Sequence, residues 1–334
     1  MTPGERPPPV VLTCGEVRTC LLPALQPLDS RATAQFLTLR GDERVLLSER
    51  PNLYGRSAEI LTGIDCALPS GNGAKVRAVG TVAARASLTE GRVLQSSAHF
   101  RMPAAGPDHR QPWGHHLVRP GLVEPFGKLP HESVAEGLLN GGRPRELDVG
   151  PVADGLLTRV LRHPLLDQRP PLRSRPTRLR WVAVSTERDE APCIERFTLA
   201  EDELRTVRLR VPVGTPGADI AVLCEDLALH DWLLTTVVRI LDGIRPGGGQ
   251  PRSRPAPEAG QDHRGVVTAL RPAVDHLLHL WMPRARVSRT LVPLWDTLED
   301  HPGFTQQWRT LVQRMRDQLA MHTLQLLVEV PTRH

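Results

Sequence analysis

The chain has 334 residues, 24% charged and 40% hydrophobic, with 32 prolines, five cysteines and a formal net charge of +5. That is ordinary globular usage apart from the proline, with length for two domains and cores that need no disulfide or metal staple. No run approaches the ~18 consecutive apolar residues of a membrane span, and residues 1–9, polar and proline-rich, lack the basic-then-apolar order of a signal peptide.

All but two of the 42 basic side chains are arginine, lysine standing only at Lys75 and Lys128. The arginines are scattered, so the bias reads as compositional and nucleic acid is not the expected partner. Cys14, Cys20, Cys66, Cys193 and Cys224 are odd in number and irregular in spacing. Reduced thiols and a cytoplasmic location are expected.

After a disordered N-terminus at 1–9, residues 10–105 read as an antiparallel β-rich region. Residues 10–22 form a largely buried strand, a helical piece follows near Ser30–Arg40, and Arg44–Ser48 is a second strand. Ile60–Leu68, Lys75–Leu88 and Arg92–Arg101 are β-prone runs separated by Pro69-Ser70-Gly71-Asn72-Gly73 and Thr89-Glu90-Gly91. Short turns with glycine at the left-handed position join such runs into a meander. Residues 106–176 read as proline-rich loops with two short helices, Ser133–Leu139 before Gly141 and Val152–Arg162 before Pro164. Arg169–Pro176 is a proline-arginine linker.

Residues 177–212 alternate with period two and form a strand pair expected to join the N-terminal sheet. Leu179, Trp181 and Ala183 oppose Arg178 and Arg180, and Val207, Leu209 and Val211 oppose Arg208 and Arg210. From Ala218 the period becomes helical, Ile220, Leu223, Leu227, Leu234, Val238 and Leu241 forming one stripe. Helical patterns return at Val266–Met282, Ser288–Leu298 and Phe304–Val328. Residues 218–330 thus read as a helical bundle interrupted by a flexible linker at 245–262. The fold class is α+β: an N-terminal antiparallel β-meander domain with short helices, then a C-terminal helical bundle.

The motifs that carry chemistry fail in identifiable ways. Gly71-Asn72-Gly73-Ala74-Lys75 runs into a strand, whereas a phosphate loop must open a helix. His131-Glu132-Ser133-Val134-Ala135 has alanine where a zinc-protease helix needs its second histidine. Pro192-Cys193-Ile194-Glu195-Arg196 has arginine in place of a deaminase's second thiolate. His109, His115 and His116 share a polar loop with Asp108, and solvated side chains are expected there rather than a metal site. No metal and no cofactor is expected.

Two weaker features remain. Asp231 falls in the apolar stripe of its helix with His230 beside it, and Asp275 and His279 lie four apart in the next helical stretch. A carboxylate on a core face needs a partner. For Asp231 an Arg or His of a neighbouring helix, or a solvated groove between helices, is expected, and Asp275 and His279 are expected to pair with each other; the alternative is a composite acid/base site. Arg178, Arg180, Arg208 and Arg210 could track phosphates, but no aromatic platform interleaves them, and a solvated face is expected.

The stretches Gly15–Leu22, Leu61–Cys66, Leu223–Leu234 and Leu270–Leu278 resemble a conserved hypothetical family of actinomycetes, over nearly the whole chain. That family has no established activity, so the resemblance implies no catalytic residue. It implies a partner-dependent role, with a P-loop ATPase-like protein encoded nearby. The leading expectation is a non-enzymatic cytoplasmic subunit or adaptor of a multiprotein system. The alternatives are an enzyme with an Asp/His site in the C-terminal helices and a nucleic-acid binder using the arginine strand face.

Overall fold

The computed structural model describes residues 10–41, 43–73, 75–107, 109–186, 191–199, 203–243 and 259–328. The expected disordered terminus and residues 245–258 of the expected linker lie outside them. Residues 259–262, also expected in that linker, open a helix instead.

The expected meander is present. Strands β4 (Ile60–Leu68), β5 (Val76–Thr89) and β6 (Val93–Pro103) pair antiparallel in sequence order. At the β5–β6 turn Glu90 and Gly91 are both left-handed, with φ of 51° and 57°. A Cβ on Gly91 would sit 2.1 Å from the Leu28 carbonyl oxygen, so both conformation and space demand glycine there.

β1 (Val10–Leu21) pairs with β6 on one side and with β8 (Thr177–Thr186) on the other. β10 (Leu204–Pro212) runs parallel to β8, so the expected strand pair both pairs internally and joins the N-terminal sheet. The connection between them supplies β9 (Cys193–Leu199), a strand the sequence reading lacks, which hairpins onto β10. Its two faces are both partly exposed, so it has no apolar alternation to betray it. At the other edge lie β2 (Leu46–Ser48) and β3 (Tyr54–Arg56). The stretch expected as loop holds α2 (Trp113–Leu117) and β7 (Val123–Pro125), the latter pairing with β5. The ten strands form one sheet, mixed because of the β8–β10 pair.

Helices cover both faces. α1 (Ser30–Leu37), N-capped by the Asp29 side chain, α3 (His131–Asn140) and α4 (Gly150–Leu161) pack on one side. Leu12, Cys14, Ala84, Leu88, Ala98 and Phe100 face them. The C-terminal bundle is α5 (Gly217–Gly243), α6 (Ala259–His276), α7 (Val292–Asp300) and α8 (Phe304–Val328). Its first helix lies directly on the other face, against Val17, Leu179, Trp181, Val207 and Leu209. α5 is therefore apolar nearly all round, because it has the sheet below it and the remaining helices above. Sheet and bundle share one core through this helix. No helix among the described residues is long and apolar enough to cross a membrane.

Candidate functional site

Alternation along the meander puts the apolar residues of β5 and β6 toward α1, α3 and α4, leaving Arg85, Gln95, Ser97 and His99 beneath α5. α5 answers with Glu225. Its carboxylate accepts from Arg85 Nε at 2.8 Å and Nη2 at 3.1 Å, and from the Ser97 hydroxyl. Gln95 donates to the Glu225 backbone oxygen at 2.9 Å. Burial raises the Glu225 pKa and the Arg85 charge and its hydrogen bonds lower it, with a net lowering, so the pair is ionised. The next residue, Asp226, accepts from the Arg284 backbone N–H at 3.0 Å, and burial raises its pKa. None of these residues stands out in the sequence, since Arg85 and Glu225 lie 140 positions apart.

The four acid/base candidates do not converge. His230 and Asp231 are neighbours in sequence, but successive residues on a helix diverge by about 100°. His230 donates through Nδ1–H to the Asp226 carbonyl oxygen at 2.7 Å, and its ring stands edge-on to Trp281 and Trp295. Burial lowers its pKa, so the ring is neutral. Asp231 instead accepts from Arg205 Nε at 3.2 Å, a partly closed pair with β10. Asp275 is exposed and pairs with Arg271 at 3.5 Å. α6 ends at His276, so His279 sits beyond it in a 3-10 turn and is exposed. The composite polar site does not assemble, and Asp231 carries an ion pair whose partner stands on strand β10 and not on the neighbouring helix expected.

The arginine strand face is not a solvated one. Arg180 is buried, donating to Glu16 at 2.7 Å and Asp148 at 2.8 Å. Arg208 binds Glu132, Glu136 and Glu195, and Arg210 binds Glu195. Arg178 is partly buried and also has a partner. α3 brings Glu132 and Glu136 onto this face, so three of the four guanidiniums are held by named carboxylates of the same chain.

The histidine loop also departs from expectation. α2 is set against β4, where a Cβ on Gly63 would lie 3.2 Å from the Trp113 ring. His116 is 3% exposed, and His115 Nε2 lies 2.9 Å from a Glu124 oxygen. Glu124 of β7, itself buried, also accepts from Arg119 at 3.0 Å. His109 is exposed and outside this group, and Asp108 lies outside the described residues.

A concavity lies where four segments meet: the end of β1, the end of α4, the linker before β8 and the second half of α5. It is a cleft of about 920 Å³, in the range of small-molecule sites. Leu21, Pro23, Leu161 and Leu172 give it an apolar wall, and Arg173, Arg175 and Arg239 line it as cations. Trp232 Nε1 donates to the Arg175 carbonyl oxygen at 3.1 Å and so fastens the linker to α5. Glu203 pairs with Arg239 and lies 3.7 Å from Arg175, leaving an excess of positive charge.

Two buried donors on residues that line the cleft, the Thr236 hydroxyl and Nη1 of Arg239, have no partner among the described residues. Cys20 also lines the cleft, but burial pushes its thiol pKa up to about 12, so it stays protonated and is a poor nucleophile. The sequence marks this place only as a proline-arginine linker. The alternation of Arg173 and Arg175 with Ser174 and Pro176 is the one local sign of it. Comparison with protein-family models, curated proteins and solved structures gives no match.

Proposed function

We propose that this chain is a non-enzymatic, cytoplasmic binding subunit of a multiprotein system, whose own task is to hold an amphipathic anion in the cleft between β1, α4, the 169–176 linker and α5. The observation that carries the reading is the pairing of an apolar wall with three guanidiniums and two unsatisfied donors. An apolar body would cover Leu21, Leu161 and Leu172, and an anionic head would take up the hydrogen bonds of Arg239 and Thr236. The protonated Cys20 and the separated His230 and Asp231 favour binding over turnover.

Exposed Leu46 and Leu47 on edge strand β2, and exposed Leu199 on edge strand β9, support a role inside an assembly. The family resemblance makes a P-loop ATPase-like protein the first partner to examine. Nucleic-acid binding through the arginine strand face is the less supported reading, because Glu132, Glu136 and Glu195 already occupy Arg208 and Arg210.

The test compares a matched pair of probes, dodecanoate and dodecanol, by calorimetric titration. Dodecanoate is expected to bind more tightly, and Arg239→Gln to cost it about tenfold (~1.4 kcal/mol) while leaving dodecanol unchanged. Thr236→Val weakens dodecanoate as well. In the free protein the same change stabilises by about 1 kcal/mol, since it removes a buried hydroxyl with no partner. Equal affinities for the two probes, or variants that leave dodecanoate untouched, would remove the anion site.

A further inference from the structure

We propose that His115, His116 and Glu124 form a binding site for a divalent zinc ion, and that Arg119 is the stand-in cation the metal displaces. The site is separate from the cleft and independent of the reading above.

His115 Nε2 lies 2.9 and 3.2 Å from the two Glu124 oxygens and 3.2 Å from Arg119 Nη1. Carrying a proton, Nε2 can donate to the carboxylate but confronts the guanidinium with a second donor. Carrying a lone pair, it can accept from Arg119 but confronts the carboxylate with a second acceptor. With the proton on Nε2, His115 and Arg119 both donate to Glu124, which holds two donors 3.2 Å apart on one carboxylate. A metal ion can replace both, because it bonds to the Nε2 lone pair and to the carboxylate together and leaves no role for the guanidinium.

The third ligand is adjacent. His116 Nδ1 is 3.6 Å from a Glu124 oxygen, and its Nε2 is buried without a hydrogen-bond partner among the described residues. One ligand atom from each of the three residues lies within 4.8 Å of the others. With zinc bonds of 2.0–2.1 Å, ligand atoms in a tetrahedral shell stand roughly 3.4 Å apart. The distances of 2.9 and 3.6 Å straddle that value.

Charge points the same way. Glu124 is 7% exposed, and a buried carboxylate requires a cation. Arg119, whose side chain is 39% exposed, supplies it and can swing to solvent without moving the backbone. Two imidazoles and a carboxylate are a borderline donor set suited to zinc, and three protein ligands leave one position open. The i and i+1 histidines come from the short helix α2, and the glutamate comes from β7. The sheet therefore holds one side of the site, through the β7–β5 pairing.

The experiment uses the untagged full chain, titrated with Zn²⁺ by calorimetry and with Co²⁺ by visible absorption. One equivalent of each is expected to bind, and Co²⁺ should show the intense band of a tetrahedral or five-coordinate ion. His115→Gln is expected to weaken Zn²⁺ by about tenfold or more, because a ligand is lost. Arg119→Gln is expected to tighten it by about tenfold, because the competing cation is gone. That gain does not depend on the ligand variants folding well. Binding that Arg119→Gln leaves unchanged or weakens, or that survives His115→Gln intact, would overturn the proposal, as would an absence of stoichiometric binding in both wild type and Arg119→Gln.

Discussion

His99 lies under α5 with Nδ1 unpartnered among the described residues, and burial together with the Arg85 charge lowers its pKa from 6.5 to about 4. Burial lowers His230 too. A base whose folded pKa is depressed contributes stability above its unfolded pKa and loses it as pH falls toward the folded value. The window for His99 therefore runs from pH 6.5 down to about 4. Within it the unfolded chain takes up a proton the folded chain refuses, at about 1.4 kcal/mol per pH unit for each such histidine. Asp226 and Asp231 have the opposite sign, since burial raises both and the folded state protonates them first. They offset the loss toward the acid end of the window. Urea unfolding at pH 7, 6 and 5 should therefore show falling stability, and His99→Gln should flatten that slope by up to about 1.4 kcal/mol per unit. An unchanged slope in the variant would mean His99 is protonated in the fold.

At the scale of elements, α5 is fixed to the meander by charge as well as by apolar packing. Replacing Glu225 by Gln leaves the buried Arg85 guanidinium with only the more distant, partly exposed Glu59 at 3.4 Å, and a loss of about 3 kcal/mol is expected. Arg85→Met with Glu225→Met should recover most of that, because the pair is removed whole. A single-variant loss below about 1 kcal/mol would place the pair in contact with water. Elements bounded by strong local signals were legible. β4, β5 and β6 are set by their glycine turns, α3 stops at Gly141, where φ is 87°, and α5 to α8 follow the apolar period. β7 and α2 have three and five residues, too short for any period to show, and exist because β5 and β4 hold them. Glu225 reads as a misfit in an apolar stripe only once Arg85 is known to face it. Asp231 was legible as a carboxylate needing a partner, but the partner, Arg205, comes from a strand. The cleft escaped because its four segments are distant in sequence and each is unremarkable alone.

For the whole molecule, sheet and helices share α5, so a ligand in the cleft touches both halves of the chain at once. The wall from β1 and α4 belongs to the sheet side, and Thr236 and Arg239 belong to the bundle side. Binding there should tighten the linker already tied to α5 by Trp232. The measurement that tests this most directly is amide hydrogen exchange of the full chain with and without saturating dodecanoate. Slower exchange is expected only in residues 169–176, the end of β1 and the second half of α5, with α2 and β9 unchanged. Protection spread over the exposed edge strands, or no protection of the linker and α5, would contradict it.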